Sequence, residues 1–135
     1  ARTGRTPQQV MEDAKRAVEA AKWDAPWGAD ADHLKSVDDL PPFVAAGYTF
    51  YTVDPGAFVD NAADTDPLPV LTEKVKDHIW EELSGIYLHG NIDAGSGSFD
   101  TQALLRAIAK YGQAIQHTAG MYQRLCQPDI YPRGN

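Results

Sequence analysis

The sequence predicts an α/β fold, and three observations carry that prediction. Segments with helical periodicity alternate along the chain with short runs rich in β-branched and aromatic residues. The run from Tyr48 to Val53 contains no other residue type, which is typical of a strand covered on both faces in a layered α/β arrangement. Near the carboxyl end, apolar residues recur three and four apart over about 22 residues, which predicts a long helix.

Length and composition indicate one ordinary globular domain. The 135 residues are 43% hydrophobic and 23% charged. A complete (βα)8 barrel of about 200 to 250 residues is excluded by length. The one cysteine, Cys126, cannot form an intrachain disulfide, which suits a reducing compartment, and we expect a cytoplasmic location.

The net charge limits the kinds of binding partner that we expect for this chain. A formal net charge of -7 repels phosphate backbones and anionic lipid, so we expect neither nucleic acid nor membrane as a partner. No apolar stretch approaches the roughly 18 residues of a membrane span. An anionic small substrate would need a local cation or a metal ion to hold it.

The first elements follow from capping and periodicity. Thr6, Pro7 and Gln9 have the residue types of a helix start with a capping box, and the helix should continue to about Lys22. Residues 27–31 are predicted to form a short buried strand.

The remaining elements continue the alternation. A short helix should follow Ser36 and end at Gly47, and a third helix should follow the strand that ends at Val53. A short strand is predicted at residues 86–89, followed by a glycine- and serine-rich linker. Asp100 should cap the last helix, whose apolar stripe comprises Leu104, Ile108, Tyr111, Ile115, Thr118, Tyr122 and Leu125. This order predicts parallel neighbouring strands, consistent with a slice of a barrel.

Two carboxylates and an imidazole stand within four residues at Asp30, Asp32 and His33. Such groups can bind a divalent metal or move protons. On an extended segment His33 projects opposite to the two aspartates, so the three converge only if the strand ends near Asp32. The alternative is structural, with the aspartates capping the next turn and His33 packed against it.

Asp54 directly follows the strongest strand, at the end where ligands gather in parallel α/β folds. Its alternative is an Asp-Pro-Gly turn in which the carboxylate accepts backbone N–H groups. The later acidic residues lack the spacing, glycine and terminal glutamate of a calcium loop, so a solvated acidic loop is the better interpretation of Asp60, Asn61, Asp64 and Asp66.

Several segments together resemble the tagaturonate epimerase family. They are Thr3–Pro7 (Thr-Gly-Arg-Thr-Pro), Gly28–Lys35 (Gly-Ala-Asp-Ala-Asp-His-Leu-Lys), Ala46–Gly56 (Ala-Gly-Tyr-Thr-Phe-Tyr-Thr-Val-Asp-Pro-Gly), the pair Val59-Asp60, and Lys110–Ile115. The resemblance implies a metal-dependent sugar-acid epimerase acting on tagaturonate and fructuronate, built on a barrel-like α/β scaffold. It also implies members much longer than this chain. We therefore expect residues 1–135 to be a single α/β segment of a larger barrel-like catalytic domain, a partial TIM-barrel-like segment with a long C-terminal helix.

The resemblance also suggests residue roles. It assigns His33 to a metal ligand and Asp32 to the acid/base carboxylate beside it. Asp30, Lys35 and Asp54 match further motif positions, which we assign to substrate binding. The implied cofactor is a divalent cation such as zinc, manganese, cobalt or nickel, and the implied ligand is a small sugar acid.

The chemistry of the implied reaction suits these groups. The fourth carbon of a 2-ketose is β to the carbonyl, so simple enolisation cannot invert it, and retro-aldol cleavage with re-closure or hydride abstraction at the carbinol is needed. Two alternatives differ in class: a metal-dependent aldolase, and a non-catalytic acidic α/β or helical module whose long helix packs on a partner. A slice of a barrel should also self-associate or join the remainder of the barrel.

Overall fold

The fold was analysed in a computed structural model that describes residues 4–76, 101–128 and 130. The strand expected at 86–89 and the linker after it lie outside these residues. The described residues form two compact units. The first comprises residues up to Asp54 and from Thr118 onward, and the second runs from Pro55 to His117.

The first helix, α1, spans Pro7–Ala20 and begins as its sequence predicts. The Thr6 hydroxyl accepts the N–H of Gln9 at 3.2 Å, and the Gln9 side chain accepts the N–H of Thr6 at 2.9 Å. This reciprocal pair satisfies two N–H groups that the first turn leaves without helical acceptors. The chain leaves the helical path near Lys22, whose φ of +51° is incompatible with a continuing right-handed helix.

Two strands form a parallel pair, β1 at Asp30–Leu34 and β2 at Phe50–Val53. The parallel pairing is confirmed, but the expected position of β1 at residues 27–31 is three residues early. Hydrogen bonding between the two segments starts at Ala29, whose carbonyl accepts the N–H groups of both Thr49 and Phe50. Residues 27 and 28 are exposed and precede that ladder.

A β-bulge interrupts β1. The register pairs Ala31 with Tyr51 and Leu34 with Val53, so β1 contains one more residue than β2 between these pairs. His33 accommodates that residue with a left-handed φ of +59°. The bulge resets the alternation of the strand, leaving Asp32 and His33 both exposed between two buried residues.

A short helix connects the strands, as expected. A 3-10 turn at Val37–Asp39 leads into α2, which spans Leu40–Ala46 and carries two prolines in its first turn, where no helical N–H donor is required. It ends at Gly47, whose φ of +86° is the left-handed C-terminal conformation that glycine adopts without strain.

The core of the first unit covers one face of the sheet. Its buried residues are Met11, Ala31, Leu34, Leu40, Ala46, Tyr48 and Met121. The expectation that β2 is covered on both faces is wrong for the described residues, since Phe50 is 69% exposed and exposure alternates along the strand. The helices of this unit pack on the face opposite Phe50, against Ala31, Leu34, Tyr51 and Val53.

The second unit contains α3, at Leu68–Lys76, and the first part of α4, which spans Thr101–Leu125. Its core comprises Ala63, Leu71, Val75, Leu104, Leu105, Ile108 and Ala109. Within residues 4–76 and 101–128, no helix has the length and apolar character that would let it cross a bilayer.

The long helix is confirmed, but its expected apolar stripe is only partly buried. Leu104 and Ile108 are buried, whereas Tyr111, Ile115 and Tyr122 are 45%, 53% and 66% exposed. The buried hydrophobic residues of α4 are Leu104, Leu105, Ile108, Ala109, Ala114 and Met121, so its packed side follows only the first part of the predicted stripe.

Candidate functional site

Four predicted site residues meet beside the ends of β1 and β2. The Nε2 atom of His33 lies 3.6 Å from an Asp32 carboxylate oxygen, and its Nδ1 atom lies 3.7 Å from Oδ2 of Asp54. The Lys35 ammonium lies 3.8 Å from the same Asp54 oxygen. The imidazole is therefore flanked by two carboxylates, one of which also faces a cation.

The bulge and the parallel pairing create this cluster. We expected His33 to join the carboxylates only if β1 ended near Asp32, and that condition is wrong because the strand continues to Leu34. The extra residue in β1 turns His33 to the exposed side instead. The N–H of Asp54 donates to the Leu34 carbonyl at 2.8 Å and fixes the end of β2 beside this turn.

The exposure of the cluster argues against a packing role for His33. Its side chain is 70% exposed, so it does not fill the core under the next turn as the structural alternative required. Asp54 is less exposed, at 34%.

The contacts of Asp30 lie outside this cluster. It is the first residue of β1, and its carboxylate accepts a 2.8 Å hydrogen bond from the Thr52 hydroxyl across the sheet. Its register partner is Phe50, at the amino end of β2. The structure therefore brings together Asp32, His33, Lys35 and Asp54, and not Asp30.

The His33–Asp32 and His33–Asp54 pairs are each spaced to hold a divalent cation between two ligands, but the three side chains do not surround one ion together. Nitrogen and oxygen ligands bind such ions at about 2.0 to 2.2 Å, so two ligands 3.6 or 3.7 Å apart can share one ion. Asp32 and Asp54, however, face different ring nitrogens, so one ion cannot contact His33 together with both carboxylates. Accordingly, the described part of the chain holds no group of three His, Cys, Asp or Glu side chains suited to one metal.

A fourth acid, which sequence reasoning missed, holds the turn after β1. Asp39 Oδ2 accepts the N–H groups of Lys35 and Ser36, each at 2.8 Å. These two backbone hydrogen bonds stabilise the carboxylate and lower the pKa of Asp39 below its ordinary value of 3.8. The Ser36-x-x-Asp39 spacing, in which the later side chain reaches back to the capping N–H, is the signal that could have revealed it.

The acidic loop of the second unit is paired rather than simply solvated, which corrects the sequence interpretation. The Lys74 ammonium contacts Asp60 and lies 2.6 Å from Asp66, and Lys110 lies 2.6 Å from Asp64. The hydrogen bond from Lys74 lowers the pKa of Asp60, and that bond, with a second to Asp66, raises the pKa of Lys74. Asp60 also caps the turn that follows it, and the three acids anchor the loop to α3 and α4.

A cleft of about 410 Å³ opens in the same unit, and no predicted site residue lines it. Its charged lining groups, Asp60 and Lys74, neutralise each other. The Phe58 ring beside it stacks on His117 with centroids 3.9 Å apart. His117 thus packs against an aromatic ring.

A polar cluster beside the carboxyl ends of parallel strands lies where α/β folds bind ligands. Comparison with known proteins specifies the class further. A sequence profile described as tagaturonate epimerase matches residues 1–130. The chain belongs to the tagaturonate epimerase family.

One curated relative covers the same region. It is the tagaturonate/fructuronate epimerase of Thermotoga maritima, 36% identical over 132 residues. The match covers 92% of this chain and 26% of the relative, so the chain spans about a quarter of that protein's length. No solved structure matches the chain.

Proposed function

We propose that this chain carries part of the active site of a metal-dependent sugar-acid epimerase that interconverts tagaturonate and fructuronate. The observation that carries the proposal is the His33 imidazole between the carboxylates of Asp32 and Asp54, at 3.6 and 3.7 Å. Membership of the epimerase family and the similarity to the tagaturonate/fructuronate epimerase of Thermotoga maritima support the substrate class.

In this proposal Asp32 is the acid/base group. Its carboxylate takes the proton from the hydroxyl on the fourth carbon of the 2-ketose. The bond between the third and fourth carbons then breaks, its electron pair moving toward the carbonyl and leaving an aldehyde at the fourth carbon. Re-closure on the opposite aldehyde face reverses each step and returns the proton. Asp32 is exposed beside His33 and can reach a substrate.

His33 would hold the metal ion together with Asp54, the carboxylate beside Nδ1, so that Asp32 remains free to act as the base. A divalent cation bound there would polarise the substrate carbonyl and offset the charge of the sugar acid. We assign Lys35 to the substrate carboxylate, because its ammonium is exposed and only loosely paired with Asp54. Asp30 and Asp54 are proposed to bind substrate hydroxyl groups.

We further propose that β1 and β2 belong to a TIM-barrel-like sheet. Helices cover one face of the pair, while Asp30 and Phe50, its first register pair, are both exposed. In a barrel the helix-free face is the interior, and the carboxyl ends of the strands carry the site. The chain would then be one segment of a larger catalytic domain.

The test assays interconversion of tagaturonate and fructuronate with manganese, cobalt, nickel or zinc, in an epimerase that carries this segment. We expect His33→Ala to lower metal content and turnover together, whereas Asp32→Asn should retain the metal and lower kcat. Lys35→Met should mainly raise KM. Asp38→Asn is the matched control, because Asp38 is an exposed neighbouring acid without a proposed role.

Two results would contradict the proposal. Full activity of Asp32→Asn would exclude Asp32 as the base, and unchanged metal content in His33→Ala would exclude the ligand. Release of cleaved three-carbon products without epimerised hexuronate would indicate the aldolase alternative. For the isolated 135-residue chain we expect little turnover, since two protein ligands per ion give an incomplete coordination sphere.

A further inference from the structure

One carboxylate secures the turn that presents His33 and Lys35. Both N–H groups that follow Leu34, those of Lys35 and Ser36, donate to the same Asp39 oxygen at 2.8 Å. Hydrogen bonds from N–H groups to an ionised carboxylate are about twice as strong as those between neutral groups. Asp39 is half-buried, which limits competition from water.

The backbone on the other side of this turn is also secured. The Leu34 carbonyl accepts the N–H of Asp54 at 2.8 Å, so residues 34–36 are held both by β2 and by Asp39. Immediately before them, His33 has its left-handed φ of +59°. A non-glycine residue leaves that conformation readily unless its neighbours are restrained.

The restrained turn fixes the positions of the His33 and Lys35 side chains. His33 and Lys35 lie on either side of Leu34, yet both approach Oδ2 of Asp54, at 3.7 and 3.8 Å. If the N–H groups of Lys35 and Ser36 lost their acceptor, the turn could relax, and the two side chains would no longer share this oxygen. Asp39 thus acts on the site through the backbone.

We infer that Asp39 is a positioning residue of the candidate metal site, whose carboxylate holds the turn at residues 34–36 and thereby the placement of His33 beside Asp32 and Asp54. The inference rests on the proposed function, because it concerns the cation that His33 would bind. Asp39 itself touches neither substrate nor metal in this role.

Asp38 offers a matched control. It lies next to Asp39 in the same 3-10 turn, carries the same charge and is exposed. Its side chain makes no hydrogen bond or ion pair with any described residue, whereas Asp39 accepts two N–H groups. Replacing either acid removes one negative charge, so only the loss of the backbone acceptor differs.

The experiment titrates Mn²⁺ into the full 135-residue chain and follows paramagnetic broadening of the His33 imidazole resonances. The His33→Ala spectrum identifies these resonances among the four histidines. We expect Asp39→Ala to weaken Mn²⁺ binding at His33 by about 10-fold, the effect typical of losing an outer-shell partner. Asp38→Ala should change it by less than about 2-fold, since salt screens an exposed charge.

If Asp39→Ala does not fold, a second pair of variants, Asp39→Asn and Asp38→Asn, tests the same inference. Asp39→Asn retains an acceptor oxygen without the charge, so it should fold and restore part of the affinity, while Asp38→Asn should match the wild type. Circular dichroism and the amide exchange rates of Lys35 and Ser36 accompany each titration. Faster exchange at these two amides, with weaker Mn²⁺ binding, supports the inference.

The outcomes separate the two proposals. If Mn²⁺ broadens His33 in the wild type and the Asp39 variants bind as tightly as the Asp38 variants, Asp39 is not a positioning residue and the proposed function stands. If Mn²⁺ leaves His33 of the wild type unaffected, the metal role of His33 is overturned and the inference with it.

Discussion

At His33 the backbone holds a φ of +59°, a left-handed conformation that costs a residue with a Cβ about 1 to 2 kcal/mol. Strain of this kind persists where the surrounding structure requires it, and it is concentrated at functional sites. Here the parallel pairing on either side of the bulge requires it. The extra residue in β1, which this conformation accommodates, turns the imidazole toward the two carboxylates.

A pair of variants measures this strain. His33→Gly and His33→Ala both remove the imidazole, but only glycine adopts the left-handed conformation without cost. We expect His33→Gly to be more stable than His33→Ala by about 1 kcal/mol in urea unfolding. At Asp32, where φ is not positive, the order should reverse, with glycine the less stable variant. Equal stability of the two His33 variants would show that the bulge carries no strain.

The Asp39 carboxylate makes a pH-dependent contribution to stability. Its pKa in the folded chain is lowered by the N–H groups of Lys35 and Ser36. Its contribution is therefore fully present above the unfolded-state pKa and is lost as the pH falls through the lower folded-state value. We expect the unfolding free energy to fall below about pH 4, and less steeply in Asp39→Asn. Urea unfolding between pH 2 and 6 in about 0.15 M salt checks this, and an unchanged slope in Asp39→Asn would contradict it.

At the scale of elements, the close approach of two loops sets the start of the sheet. Gly28 precedes β1 and Thr49 precedes β2, and a Cβ added at Gly28 would lie 2.7 Å from the Thr49 hydroxyl oxygen. That oxygen accepts the N–H of Ala29 at 3.2 Å. The absence of a side chain at Gly28 therefore lets the first hydrogen bonds of the strand pair form.

We expect Gly28→Ala to destabilise the chain by about 1 to 2 kcal/mol, because Thr49 must rotate away and release Ala29. In the Thr49→Ala background the same change should cost much less, since the clashing oxygen is gone. A double-mutant cycle by urea unfolding measures this coupling. If the two changes are simply additive, the contact does not define the start of the sheet.

For Gly120, in α4, we expect substitution by alanine to have the opposite effect on stability. A Cβ added there meets no atom within 4 Å, and the residue lies inside a helix. Gly120→Ala should therefore stabilise the chain by about 0.5 to 1 kcal/mol. Thermal melting checks the sign, and a lower melting temperature would indicate a contact that α4 makes outside the described residues.

At the scale of the whole molecule, the helix-free face of the strand pair predicts association. Phe50 is 69% exposed on β2, which in the described residues pairs on one edge only. Apolar side chains and free strand edges of this kind favour pairing with other chains. We expect the isolated chain to self-associate and its melting temperature to depend on concentration.

The Phe50→Thr variant tests this expectation. Removing an exposed ring should change the unfolding free energy by only about 0.5 kcal/mol, while sedimentation should show a smaller associated fraction. Val37→Thr, at a 43% exposed position outside the sheet, is the control and should leave association unchanged. A wild-type monomer with a sharp melt that does not depend on concentration would exclude the association.

Local signals predicted those parts of the fold that local physics decides. The Thr6–Gln9 capping box, the end of α2 at Gly47 and the β-branched run of β2 each depend on residues close in sequence. The limits of β1 were misplaced because a strand begins where its partner supplies backbone hydrogen-bonding groups, and those belong to residues about 20 positions later. For the same reason the pairing of the acidic loop with Lys74 and Lys110 was missed.

The sequence alone predicted the α/β class, the order of the described elements, and the polar residue types of Asp32, His33, Lys35 and Asp54 at the strand ends, because residue types and periodicity are local properties. Only the tertiary structure decided which of the predicted groups meet. Parallel pairing with one extra residue in β1 turns His33 toward Asp32 and Asp54, and it leaves Asp30 bonded to Thr52. Register depends on contacts between segments distant in the chain, which a pattern along one segment does not contain.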